Sequence, residues 1–330
     1  MYNSVYTRSP DEDHWREKAF ELQQLYWGEK FSTKYDTHRQ LIDDLKSKLK
    51  IIRDKFRESM KDADDLLGEI HGDNVDNEVC QRYYDVMKRI SLECSEEMRA
   101  FGERIIKESV NIISTPPPVL FEAVAIGSIA RGEATPYSDL EYLLLVEKQT
   151  EGSAQYFELL SMVSYFIMGN LGETKLSYMN VEELNGWFED KAKNGFKIDG
   201  LAPGAGNIPT GNSPNNRNHF IITPEQLADR YKTTLDNPDP KEALRGDLTS
   251  MLTYTKSLYM CSNQNAQQNL LLRYYELIKA HTRNQTRSEM DMDMLKTDAE
   301  KFNFVPDGRL YAKGFCADVK KEVYRFPSIL

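Results

Sequence analysis

An α+β chain with a helical N-terminal region, a strand-containing central domain and a helical C-terminal domain is predicted by three observations. Apolar residues recur in steps of three and four from Ile42 to Ile105. The period then changes to strand-like runs at VLFEAVAIG and LEYLLLVE, and helical spacing returns beyond the turn-rich segment DNPDP. At 330 residues, with 40% hydrophobic and 11% aromatic side chains, the chain has apolar material for two or three cores.

Each element has its own signal. A short helix is expected near Trp15 to Trp27. Ile42, Leu45, Leu49, Ile52, Phe56, Met60, Ala63, Leu67 and Ile70 then mark one long helix with a coiled-coil-like seam. HGDNVDN breaks it, and Val79, Tyr83, Met87, Ile90, Cys94, Met98, Phe101 and Ile105 mark a second. Together they read as an antiparallel hairpin over 1–115, its stripes serving core packing or, alternatively, a partner helix or a second copy of the chain. Pro116, Pro117 and Pro118 cannot continue a helix, which sets a domain boundary near residue 115.

The central domain, 116–235, is expected to continue after its first two strands with a helix near 152–169. A strand near 176–179, a helix near 181–192 and a further strand at FKID follow, then a loop rich in Gly, Asn and Pro. Thr223-Pro224-Glu225-Gln226 supplies an N-cap, a first-turn proline and a capping-box partner, so a helix starts there. Residues 236–330 read as all-helical, with apolar positions at Leu244, Leu248, Met251, Leu252, Leu258 and Tyr259, then from Leu270 to Ile278 and beyond.

Composition excludes several functions. The formal charge of −10 disfavours long nucleic acid as a partner, since binding to a phosphate backbone rests on an excess of Lys and Arg. No stretch approaches the roughly 18 to 20 apolar residues of a membrane span, and the polar start has no signal-peptide core, so a cytoplasmic protein is expected. Cys80, Cys94, Cys261 and Cys316 lie far apart without a CxxC pair, as ordinary reduced thiols do. The five histidines are scattered, and no HExxH, GxSxG, Walker A or GxGxxG pattern occurs.

The informative stretch is AIGSIARGEATPYSDLEYLLLV at 125–146. Gly127 and Ser128 end an apolar run where a missing side chain lets backbone N–H groups approach a phosphate and the serine hydroxyl can add a bond. Asp139 and Glu141, two apart before an unbroken apolar run, fall on one side of a strand. Two carboxylates so close repel, and their natural complement is a divalent cation with a taste for hard oxygen, Mg²⁺ (or Mn²⁺), bridging them to substrate phosphates.

This stretch resembles the active-site motif of the DNA polymerase β-like nucleotidyltransferases, a Gly-Ser turn followed by acid-x-acid. ARGEATPYSDLE is most similar to the branch that contains PII protein uridylyltransferase. The resemblance implies a mixed sheet with flanking helices over 116–235 and transfer of a nucleoside monophosphate from a nucleoside triphosphate to a hydroxyl, with release of pyrophosphate. The acceptor would be a protein, as in that branch, or a small molecule such as a second nucleotide. Gly127, Ser128 and Arg131 would bind the nucleotide; Asp139 and Glu141 would hold metal. The branch usually carries aspartate where this chain has Glu141, whose extra methylene moves the oxygens by roughly an ångström.

A third carboxylate on a later strand is also implied, as metal ligand and base. Asp199 in FKIDG is the candidate, an Asp-Gly turn being the other reading; Glu173 and Asp190 are weaker choices. Lys256, expected on the first helix after the catalytic domain, could steady the triphosphate or be an ordinary solvated lysine. A catalytically inactive protein of the same fold, with the hairpin as an interaction module, is the alternative to the enzyme. A partner that modifies one cognate protein is a third reading.

Overall fold

The computed structural model describes residues 35–70, 77–172, 196, 220–236, 254–261 and 269–279. Within them six helices surround a four-stranded mixed sheet. The expected helix near Trp15, the elements between 173 and 195, the Gly/Asn loop and the segments beyond 279 lie outside the described residues.

Helix α1 (Tyr35–Ile70) and helix α2 (Asn77–Ile113) form the expected hairpin. Ile42, Leu45, Leu49 and Ile52 of α1 and Cys94, Met98, Phe101 and Ile105 of α2 share one buried core, and Ala63, Met87 and Ile90 close a smaller one farther along. Cross-helix ion pairs confirm the antiparallel sense: Asp44 lies 3.5 Å from Arg104, whereas Asp62, farther along α1, lies 3.9 Å from Arg89. After α2, Ser114 takes a left-handed backbone (φ 57°), and the three prolines then carry the chain into the sheet.

Strand β1 (Phe121–Ala125) pairs antiparallel with β2 (Tyr142–Val146), in a register running from Phe121 opposite Val146 to Ala125 opposite Tyr142. On its other edge β1 pairs antiparallel with β4 (Lys256–Met260), and β2 pairs in parallel with the short β3 (Ile221–Ile222), for an order β3-β2-β1-β4. Both central strands are buried at every residue, because both faces of the sheet are covered.

On one face Phe121, Ala123, Ala125, Tyr142, Leu144 and Val146 pack against the hairpin and helix α4 (Glu151–Asn170). Helix α3 (Gly127–Arg131) is the single turn after β1. On the other face Val124, Leu143 and Leu145 meet helices α5 (Pro224–Asp236) and α6 (Leu270–Lys279) through Leu227, Tyr231 and Tyr274. Thr150 and Ser153 form a capping box at α4. At α5 the anticipated pair is present: the Thr223 N–H donates to Gln226 Oε1 (3.0 Å) and the Gln226 N–H to Thr223 Oγ1 (3.3 Å).

One expectation fails. Leu258 and Tyr259 fit a helical stripe in the sequence, yet Lys256–Met260 is an edge strand. The open edge of β1 needs partners for its backbone groups, and that need overrides local periodicity. The register of β1 with β4 also shifts between Ala123 and Val124, which hides the two-residue alternation that would have announced a strand.

Candidate functional site

The site is built where β1 ends and β2 begins. Ile126, extended at φ −127° and ψ −179°, leads into Gly127 at φ +67°, a left-handed backbone that costs glycine nothing. Gly127 therefore opens the short helix α3 where the sequence suggested only a turn, and Gly127 and Ser128 are both buried. A Cβ on Gly127 would overlap Glu141 Oε2, so the Glu141 side chain crosses directly over the glycine. The structure thus brings together the Gly-Ser turn and the second acid.

Asp139, Leu140 and Glu141 precede β2 and are not part of it, although the Ile126 N–H still donates to the Glu141 carbonyl at 3.0 Å, extending the ladder by one rung. Leu140 is fully buried in the same core as Tyr142, while Asp139 and Glu141 on either side of it are half-buried. The alternation anticipated from the sequence holds, with Leu140 as the anchor that faces the two carboxylates the other way. Gly102 of α2 makes room for that anchor: a Cβ there would stand 3.0 Å from Leu140 Cδ1.

Between turn and acids the loop is tied at every step. Ser128 O accepts the Glu133 N–H (2.9 Å), and Gly132 caps α3 at φ +79°, where a Cβ would stand 2.6 Å from Leu92 Cδ2. Arg131 Nε donates to Glu133 Oε2 at 2.9 Å in a largely buried pair, so the arginine braces the loop within itself. The buried Ala134 N–H donates to Ser95 Oγ of α2 (2.8 Å). The Thr135 N–H donates to Ser138 Oγ (2.9 Å), and the Ser138 N–H returns to Thr135 O (3.0 Å). Arg53 of α1 reaches the Pro136 carbonyl at 3.5 Å and lies 4.6 Å above the Tyr137 ring.

Lys256 is drawn elsewhere. It pairs with Ala125 at the site end of β4, and its Nζ stands 2.6 Å from Glu96 Oε1 of α2, on the hairpin face of the sheet. Lys256 and Arg99 both bond Glu96, and these contacts hold its carboxyl below the ordinary range. The helical setting expected for Lys256 is corrected accordingly. Asp199, Glu173 and Asp190 lie outside the described residues. Among the described residues no group of three or more His, Cys, Asp or Glu could hold a metal ion. Asp139 and Glu141 are carboxylates, hard-oxygen groups of the kind that could hold Mg²⁺ if further ligands joined them.

Sequence reasoning missed the hairpin's share in the site. Ser95, Leu92 and Gly102 on α2 and Arg53 on α1 contact the motif loop or its anchor. The available signals were a glycine inside a helix, which costs about 1 kcal/mol relative to alanine and marks a close approach, and serines on an apolar stripe.

Residues 79–172 match the family described as "Putative nucleotidyltransferase DUF294". The matched segment runs from α2 through β1, the Gly-Ser turn, both acids, β2 and α4. The match supports a nucleotidyltransferase-superfamily domain in this segment, and the mixed α+β architecture is consistent with such a fold. No curated protein matches the chain. Among the described residues no helix is long and apolar enough to cross a membrane.

Proposed function

We propose that the protein is a metal-dependent nucleotidyltransferase that moves a nucleoside monophosphate from a nucleoside triphosphate to a hydroxyl acceptor and releases pyrophosphate. The observation that carries this reading is the passage of the Glu141 side chain over Gly127, with Asp139 two residues earlier. The Gly-Ser turn and the second acid meet in one place. In this reading Gly127 and Ser128 receive the triphosphate through backbone N–H and hydroxyl donors, and Asp139, Glu141 and Asp199 hold Mg²⁺ or Mn²⁺. When bound, the metal offsets the charge that builds on the transferred phosphoryl group and on the leaving pyrophosphate. Asp199 is also the proposed acceptor of the hydroxyl proton. Lys256 would have to leave Glu96 to reach the triphosphate, so it is given no part.

A protein hydroxyl, as in the uridylyltransferase branch that ARGEATPYSDLE resembles, and a nucleotide hydroxyl are the two candidate acceptors. Glu141 in place of the usual aspartate favours a second reading, a protein that binds nucleotide without turning it over. Titration of ATP, UTP, GTP and CTP with Mg²⁺, followed by pyrophosphate release in the presence of cell lysate, separates the two. Release is expected from the wild type. Asp139→Ala is expected to lower it by about 100-fold or more while leaving the melting temperature unchanged or higher, because removing one of two repelling acids relieves the metal-free state. Binding without release from the wild type would establish the second reading, and a sharply lower melting temperature in the variant would count against the repelling pair.

A further inference from the structure

We infer that Arg53 and Ser95, one from each helix of the N-terminal hairpin, are positioning residues for the acid pair, which makes the hairpin a working part of the site. The inference rests on the nucleotidyltransferase reading given above. The stretch 132–138 links the Gly-Ser turn to Asp139, and both of its outer holds come from the hairpin. Ser95 is almost fully buried; its hydroxyl donates to the Ser91 carbonyl one turn back (2.7 Å) and accepts the Ala134 N–H (2.8 Å). Its position is thus locked by its own helix before it receives the loop. Arg53 approaches from α1 and takes the residues two and three positions further on, the Pro136 carbonyl by a hydrogen bond and the Tyr137 ring by its face.

The Thr135–Ser138 turn encloses the two residues that Arg53 contacts, so Asp139 follows a segment held from Ala134 to Ser138. The Leu140 anchor next to it is received in the gap that Gly102 of α2 provides. Carboxylates that must share an ion tolerate little displacement, since a shift of roughly an ångström at a reacting centre costs about 100-fold in rate. A docked hairpin is therefore a condition for acid geometry, and whatever shifts α1 against α2 reaches the acids through these two side chains.

The test uses the full chain with Ser95→Ala, Ser95→Thr, Arg53→Ala and Arg53→Lys, read by hydrogen exchange and by Mn²⁺ titration. The alanine variants should raise exchange at the Ala134, Asp139 and Leu140 amides about tenfold or more, with β1 and β2 amides unchanged as the internal control for folding. They should also weaken Mn²⁺ binding several-fold, and threonine and lysine should restore much of both. Unchanged loop exchange overturns the inference, as does faster exchange with unaltered Mn²⁺ affinity. A wild type that takes up no Mn²⁺ defeats the metal-dependent reading of function, and exchange at Asp139 and Leu140 still decides the role of the hairpin.

Discussion

Gly127 shows how much one residue decides here. Its φ of +67° would cost an alanine about 1 to 2 kcal/mol, and the added methyl would displace the Glu141 carboxylate. Gly127→Ala is expected to lower stability by about that amount and to abolish Mn²⁺ binding, as checked by urea titration beside a metal titration; retained metal affinity would separate Glu141 from the site. The acids and the glycine were legible in the sequence because they belong to one contiguous motif. That Glu141 lies over Gly127 was not, since it depends on Ile126 meeting Glu141 across the sheet.

Elements whose signals are local were equally readable. The capping pair Thr223–Gln226 and the break at three prolines are written within a few residues, and the seam of the hairpin repeats over many turns. Strand β4 was not readable: its reason to exist is the edge of β1, more than a hundred residues earlier in the chain. Its first residue also carries a testable charge contact. Lys256 and Arg99 hold the Glu96 carboxyl below its ordinary value of 4.5, so this clamp between α2 and β4 is present above that pH and is lost as pH falls through the lowered value. Glu96→Gln should cost at most about 1 kcal/mol at pH 7, because the pair is half exposed, and the difference from wild type should vanish in acid. Thermal melts of both proteins between pH 3 and 7 check this; a gap that widened in acid would contradict the assignment.

At the scale of the whole molecule, the sequence suggested boundaries near 115 and 235, and the described cores cross both positions. Met98 and Phe101 of the hairpin lie in one core with Phe121 and Leu144, and Leu270 and Tyr274 cover Val124 and Leu143 from beyond residue 235. Composition shifts mark changes of element type, whereas a shared core is a matter of burial, which a linear reading does not contain. Residues 116–235 expressed alone would keep the cover of α4 but lose that of the hairpin, exposing part of the face formed by Phe121, Ala123, Ala125, Tyr142 and Leu144. That fragment is expected to bind a hydrophobic dye and to melt without a cooperative transition; a sharp melt would show that the hairpin is dispensable for folding.

The joint formed by Ser114 and the prolines after it has one more consequence. Each proline ring fixes its own φ near −65°, so the passage from α2 into β1 has very few rotations left to it. The hairpin is mounted on the sheet as a strut, and its phase is cut to length. The core that α2 shares with β1 sets which side of α2 meets the loop, so a residue added or deleted between 114 and 120 would have to be absorbed by this stiff joint or would strain that core.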